Sequence, residues 1–392
     1  MTAETAKKFE ALERQARALM AVFAEAGYEA VAPAIIQPAG VFLDVVGEGL
    51  RARTYVFTDP DGDELCLRPD ITVPACRLHL ERQNGPRSIA KYCYNGAAFR
   101  FQPQGASSAH PREFRQSGIE AFGSRAREAA DAETVSTVLT ALKAAGLKGF
   151  KLRLGDLGLL RAVLAAADMP ERWRQRLMHR FWRPEDFCAE LRRLAGDPAA
   201  FLKTVPEKLL AAFDPGKPAD TETRIARYLE DEGVEITGAR SLPEIAASLA
   251  ERIADAKADP ITPETAGLIE RYIGLEAPAG AVPARLEELM RAPGFDISSA
   301  ISCYERRLTL LEKAGVDVSA AEFSAGFGRS LEYYTGFVFE VVAPKLGPES
   351  PVASGGRYDS LLKAAGARED IPAVGAAIHT ERLLAAVSGG KS

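Results

Sequence analysis

Strand-like segments stand at both ends of this 392-residue chain, and the middle between them reads as almost entirely helical. Residues 1–155 mix the two periods. An amphipathic helix comes first, with Phe9, Leu12, Ala16, Leu19, Met20 and Phe23 on one face. Strands are predicted near Tyr28–Pro33, at Thr54–Thr58 and Glu64–Arg68 around the turn Asp59-Pro60-Asp61-Gly62, at Ser88–Ala98 and at Arg112–Phe122. Asp131–Ala145 predicts a helix ended by Gly146, and Lys148–Leu154 a further strand. Over 156–320 apolar residues recur at helical spacing and β-branched residues thin out, with turns such as Asp214-Pro215-Gly216 and Ala277–Pro283. Strands return at Ala321–Phe327, Tyr333–Val342, Val352–Gly356 and Ala373–Ile378, the last running into a helix at Thr380–Val387. This last stretch is short for a core of its own. The pattern predicts an α+β fold in which 1–155 and 321–392 form one domain, an antiparallel sheet flanked by helices, and 156–320 forms a large helical insertion.

Composition narrows the function classes. No apolar run approaches the ~18 residues of a membrane span, and MTAETAKKFEALERQARALMAVF lacks the apolar core of a signal peptide, so a cytoplasmic protein without a membrane partner is expected. A net charge of −5 weighs against nucleic acid as the main partner. Cys66, Cys76, Cys93, Cys188 and Cys303 are odd in number and form no CxxC, which reads as buried free thiols in a reducing compartment. His79, His110, His179 and His379 are scattered without ligand spacing, and neither metal nor cofactor is expected. One stretch, ERWRQRLMHRFWRPEDF at 171–187, interleaves arginines with Trp173, Phe181 and Trp182. It fits an amphipathic helix with a solvated basic face, a protein-docking surface, or an RNA contact.

Four polar clusters fall on predicted strands: Arg68-Pro69-Asp70-Ile71-Thr72; Ala98-Phe99-Arg100-Phe101-Gln102; Arg112-Glu113-Phe114-Arg115-Gln116 with Glu120; and SLEYYTGFVFE (330–340) with ASGGRYDSLL (353–362). Each alone fits the wet face of an antiparallel sheet. Together they supply what a zwitterionic amino acid needs, namely an acceptor for its ammonium, a donor for its carboxylate and matched groups for its side chain. Asp70, Thr72 and Gln116 suit the ammonium, and Arg329 the carboxylate. Gln116 and Glu120, four apart, face one side of a strand. Glu120 with Tyr334 suits a side chain that both donates and accepts, such as imidazole. Gly355 and Gly356 would let the backbone come close to such a ligand.

These segments resemble the histidyl-tRNA synthetases, of the class II aminoacyl-tRNA synthetase fold. LRPDIT, AAFR, REFRQSGIE, GRSLEYYTG and SGGRYDSLL occur in that family's order, and PAVGAAIHTERLL looks like the third class II motif. The resemblance covers about 1–155 and 321–388, and the helical middle matches only loosely. It implies a histidine pocket built from Asp70, Thr72, Gln116, Glu120, Arg329, Tyr333, Tyr334 and Tyr358, and a homodimer formed through the core.

The chain departs from that pattern where ATP would be held. Arg100 and Arg382 stand where the family places phosphate-binding arginines. However, Gln102 replaces an expected glutamate, PQGASSAHPR lacks the family's charged loop, and His379 replaces a glycine before the last motif. A ring there crowds a slot that relies on a missing side chain. Ten residues follow Arg382, and no anticodon-binding domain is expected. Arg100, Gln102, His379 and Arg382 thus read as a vestigial nucleotide site with no catalytic residue. A chain of this kind resembles the regulatory subunits of ATP phosphoribosyltransferase. The resemblance implies a non-catalytic partner of a short catalytic subunit at the first step of histidine biosynthesis, with L-histidine as effector. An active synthetase-like ligase and another histidine-sensing paralogue are the alternatives.

Overall fold

The computed structural model describes residues 5–43, 48–82, 88–103, 105–107, 110–211, 213, 218–233, 241–289, 295–327 and 333–388. Its strands are β1 (Glu29–Ala30), β2 (Ile36–Pro38), β3 (Tyr55–Thr58), β4 (Glu64–Leu67), β5 (Ala90–Phe99), β6 (Glu113–Phe122), β7 (Lys151–Asp156), β8 (Glu276–Pro278), β9 (Glu322–Ser324), β10 (Phe337–Val342), β11 (Ala353–Arg357) and β12 (Ala373–His379). Nine of them form one sheet in the order β1-β5-β6-β12-β11-β10-β7-β9-β8, and β2-β4-β3 form a small second sheet. The large sheet is antiparallel except where β1 meets β5 and β7 meets β9.

The two ends of the chain interleave in this sheet. β12 lies along β6, with Gly375 opposite Glu120 and His379 opposite Gln116, while β10 lies between β11 and β7. This is an α+β core, a mostly antiparallel sheet covered by helices. Its helices cover the sheet as their periodicity requires. The helix Ala6–Glu25 buries Leu12, Ala16, Leu19 and Phe23, whereas Phe9 stays half exposed with the Arg115 guanidinium over its ring. The helix Arg127–Ala144 starts four residues before the expected position and buries Val135, Val138, Leu139 and Leu142.

One helix escaped the strand-based reading. Residues 68–72 leave β4, and Thr72–Glu81 is helical. Ile71, Thr72 and Val73 are β-branched and favour strands locally. Asp70 overrides that preference by accepting the backbone N–H of Val73 at 3.2 Å, and Pro74 fits a first turn whose donors are unpaired anyway.

The chain forms two compact units, Met1–Ala166 with Arg271–Ser392, and Ala167–Glu270. The second is narrower than the 156–320 read from periodicity. The helix Ser298–Lys313 belongs to the first unit because it buries Ile301, Tyr304, Leu308 and Leu311 and inserts Arg307 between Asp131 and Asp156. β8, inside the stretch read as helical, extends the large sheet beyond β9.

Within the second unit the arginine-rich helix Glu171–Arg180 spends its charge internally. Buried Asp255 accepts from Trp173 at 2.6 Å, from Arg172 at 2.6 Å and from Arg176 at 2.7 Å. Buried Glu190 pairs with Arg176, Arg180 and Arg193. Trp173, Leu177 and Phe181 are core residues. The rings and much of the basic charge of this stretch thus serve the packing of the second unit itself. Among the described residues, no helix is long and apolar enough to cross a membrane.

Candidate functional site

A cavity of about 250 Å³ opens over β6, β11 and β12. That is below the ~300–1,000 Å³ usual for drug-sized ligands and suits one small polar molecule. Its wall includes Asp70, Thr72, Gln116, Tyr333, Tyr334 and Tyr358 at one end, and Arg100, Gln102, His379 and Arg382 at the other. Ten of the twelve residues singled out in the sequence therefore meet in one cavity. Arg329 lies outside the described residues, and Glu120 lies behind the wall.

At the acidic end, Asp70 is fully buried. Its Oδ1 accepts from Val73, while Oδ2 is buried without a partner. Burial pushes its carboxyl up, and the Arg100 guanidinium pulls it back. A buried, unpaired carboxylate oxygen on a cavity wall is costly unless a ligand donor completes it. Gln116 takes a different share from the one its position suggested. Its Oε1 accepts the Ile71 backbone N–H at 2.9 Å, which leaves its NH2 as a donor, better suited to a ligand carboxylate than to an ammonium. Tyr333 and Tyr334 lie ring to ring at 4.9 Å, and Tyr333 meets the edge of Tyr358 at 5.8 Å.

Glu120 is completely buried. Its Oε1 accepts from the Tyr94 hydroxyl at 2.9 Å and its Oε2 from the Tyr358 hydroxyl. Burial pushes its carboxyl up to about 7, against the pull of hydrogen bonds from Tyr358, Thr72 and Tyr94. Gly355 and Gly356 answer to packing and not to the cavity: a Cβ on Gly355 would strike β12, and one on Gly356 would strike β10. Gly375, on the cavity wall, is the glycine that matters here, because a Cβ there would overlap Glu120.

The other end is crowded with cations. Arg53 Nη2 donates to Gln102 Oε1 at 2.5 Å, and Gln102 in turn donates to the Pro111 carbonyl at 3.0 Å. Arg100 donates to the Pro69 carbonyl and lies over the Phe114 ring. The His379 ring packs against Phe114 at 5.5 Å. Burial, then Arg382, Arg100 and His110, hold His379 far below its usual range, so it is neutral. Burial, then Arg100 and Arg53, push Arg382 down to about 10. This end can host an anion, but Gln102 and His379 already occupy part of its space.

Sequence reasoning missed Tyr94, Gly118, Gly375, Arg53 and His110. The first three were reachable from strand register. β5 runs antiparallel to β6 with Tyr92 opposite Glu120, which brings Tyr94 within reach of that carboxylate. Arg53 and His110 lie in segments whose courses no local pattern dictates. Among the described residues, no group of three or more His, Cys, Asp or Glu side chains is arranged to hold a metal ion.

Residues 4–214 and 221–383 match the histidyl-tRNA synthetase family model. Similar proteins include an "ATP phosphoribosyltransferase regulatory subunit" from Allorhizobium ampelinum, 35% identical over 94% of this chain and 96% of that one. Another of that name, from Agrobacterium fabrum, is 37% identical over 90% and 91%. Among solved structures, an "ATP phosphoribosyltransferase regulatory subunit/histidyl-tRNA synthetase" from Bacillus halodurans superposes with a TM-score of 0.68 at 20% identity, covering 99% of this chain and 82% of that one. A "Histidine--tRNA ligase subunit" from Alicyclobacillus acidocaldarius gives 0.60 at 22% identity, covering 100% and 97%.

Proposed function

This chain belongs to the histidyl-tRNA synthetase family, among the ATP phosphoribosyltransferase regulatory subunits, and we propose that it senses histidine for a short catalytic subunit that performs the first step of histidine biosynthesis. It does no chemistry of its own in this reading, and it works in the cytoplasm without nucleic acid. The observation that carries the sensing role is the unpaired, buried Oδ2 of Asp70 on the wall of an amino-acid-sized cavity. Asp70 and Thr72 then take the ammonium, Arg329 with the Gln116 NH2 takes the carboxylate, and the Tyr334 and Tyr358 side with Glu120 behind it takes the imidazole. Histidine regulates only if it binds one state of the complex better than another, and a typical coupling of about 1–3 kcal/mol corresponds to roughly 5–150-fold.

The test mixes the purified chain with the catalytic subunit. Activation of that subunit, inhibited by histidine, is expected. Glu120→Ala is expected to lower histidine affinity about 10–150-fold in calorimetry, the worth of a hydrogen bond to a charged group, and to blunt inhibition while activation persists. Unchanged affinity and inhibition would make the cavity a relic. The retained Arg100 and Arg382 favour a second reading, an active synthetase-like ligase. Histidine-dependent exchange of pyrophosphate into ATP by the pure chain would establish it in place of the first.

We also propose a homodimer through the core. One face of the small sheet carries Ile36, Pro38, Tyr55, Phe57, Leu65 and Leu67, aligned by its register. Ile36 is 51% and Phe57 38% exposed, an apolar face that a second copy would cover. Sedimentation at micromolar concentration should give a dimer, and Phe57→Glu should give monomers. A monomeric wild-type chain would refute this.

A further inference from the structure

The cavity wall is bonded, step by step, to the place where the chain leaves its first unit. Arg357, next to Tyr358, donates to Asp131 Oδ1 at 2.6 and 3.0 Å. Asp131 Oδ2 accepts from Arg307 at 2.9 Å, and Arg307 reaches Asp156 Oδ2 at 2.7 Å. The other oxygen of Asp156 accepts the Gly158 backbone N–H at 2.7 Å, in the first turn of the helix Leu157–Ala166. A shorter route runs beside this one. Tyr334 on the cavity wall is followed by Thr335 and Gly336, and the Gly336 carbonyl accepts the Leu157 N–H at 3.0 Å. Thr335 ties the two routes together, since its N–H donates to the Arg357 carbonyl at 2.8 Å and its hydroxyl accepts the Asp359 N–H at 2.9 Å. Both routes end on one helical turn. That helix runs to Ala166, the last residue before the second unit, and the chain re-enters the first unit at Arg271. One residue later, the buried Tyr272 hydroxyl lies 3.5 Å from the Asp156 carbonyl. Asp156 thus meets both the outgoing and the returning segment.

Asp131, Asp156, Arg307 and Arg357 are each more than nine-tenths buried. Burying ions costs several kcal/mol apiece, and apolar residues of similar volume would fill the same core at less cost. What linked ions add is a single geometry, because each guanidinium has all its acceptors in one arrangement and loses several together in any other. We propose that occupancy of the cavity is coupled through Asp156 to the two segments by which the chain enters and leaves the second unit. This rests on reading the cavity as a histidine site. A ligand that holds the tyrosines of the wall favours the one geometry of the network, and so holds the first turn of the 157–166 helix and the Tyr272 segment. By reciprocity, whatever fixes those two segments raises the affinity for histidine.

Hydrogen exchange on the purified full chain, with calorimetry to confirm that histidine is bound, tests this. Saturating L-histidine is expected to slow amide exchange about 5-fold or more in 157–166 and in the last turn of the Pro263–Ile273 helix, and to change the Ala6–Glu25 helix little. Asp156→Asn keeps an acceptor for the Gly158 N–H but turns an NH2 towards Arg307. It should lose most of the slowing in both segments at saturating histidine. Tyr272→Phe should lose it in the returning segment alone, and it guards against misfolding of the asparagine variant. Slowing that is equal along the whole chain would be ordinary stabilisation by a bound ligand and would overturn the inference. So would wild-type exchange that histidine leaves unchanged in 157–166, or an Asp156→Asn response equal to that of wild type. In each of these cases the calorimetry leaves the histidine reading intact. A wild-type chain that binds no histidine would sink that reading and the inference with it.

Discussion

Replacing Asp131 by alanine is expected to lower folding stability by about 3–5 kcal/mol, the range for breaking a buried ion pair from one side. Asp131 is completely buried. Its Oδ2 accepts from Arg307 at 2.9 Å, and its Oδ1 accepts twice from Arg357, at 3.0 and 2.6 Å. Arg307 also reaches Asp156 at 2.7 Å, and Arg357 reaches Asp359 at 2.9 Å. One carboxylate thus ties the 127–144 helix, the 298–313 helix and β11 together inside the core. Without it, two guanidinium groups stay buried with half their acceptors gone. The comparison is Lys151 with Glu322, whose side chains are 60% and 53% exposed. Glu322→Ala should cost no more than about 1 kcal/mol. Urea unfolding of both variants checks the contrast, and equal midpoints would refute it. The site should feel the change as well, since Arg357 immediately precedes Tyr358, and Asp359 Oδ1 accepts the Ala373 backbone N–H at 2.9 Å.

That network shows what the sequence could and could not convey. The stretch GGRYD is singular enough to mark the site, but the split of its residues follows from strand alternation. Tyr358 turns to the cavity, while Arg357 and Asp359 turn to the opposite side and serve the core. The same alternation set Gln116 and Glu120 on one face, and it gave no sign that Tyr358 would stand between Glu120 and the cavity. Periodicity found the interleaved sheet because strand and helix periods differ strongly. It missed the 72–81 helix because Ile71, Thr72 and Val73 are β-branched and read as strand, while the bond from the Val73 N–H to Asp70 leaves no periodic signature. It drew the insertion too wide because the 298–313 helix has the same period whichever unit it packs against. Arg68, the first residue of one polar cluster, spends its guanidinium on the Ala97 and Pro33 carbonyls, a use that only tertiary structure reveals.

Glu120→Gln is expected to gain stability over wild type as pH rises, by about 2–3 kcal/mol between about pH 5 and about pH 8. Burial is the first cause of the raised Glu120 carboxyl, about 7 in the folded chain. In the unfolded chain it titrates near ~4.3. Between those values the folded state holds a proton that the unfolded chain has released. Glu120 therefore favours folding fully below about pH 4.3 and loses that contribution as pH rises through about 7. Above it, the folded state carries a buried anion that, among the described residues, is held by phenol and threonine hydroxyls and faces no cation. Glutamine does not titrate, and the remaining groups ionise alike in both proteins, so the gap between their denaturation curves isolates this one proton. A gap that stays flat with pH would mean that Glu120 is hydrated or already ionised, and the desolvation argument would fail. Near neutral pH the chain thus gives up stability to keep a charged carboxylate buried against the Tyr94 and Tyr358 hydroxyls.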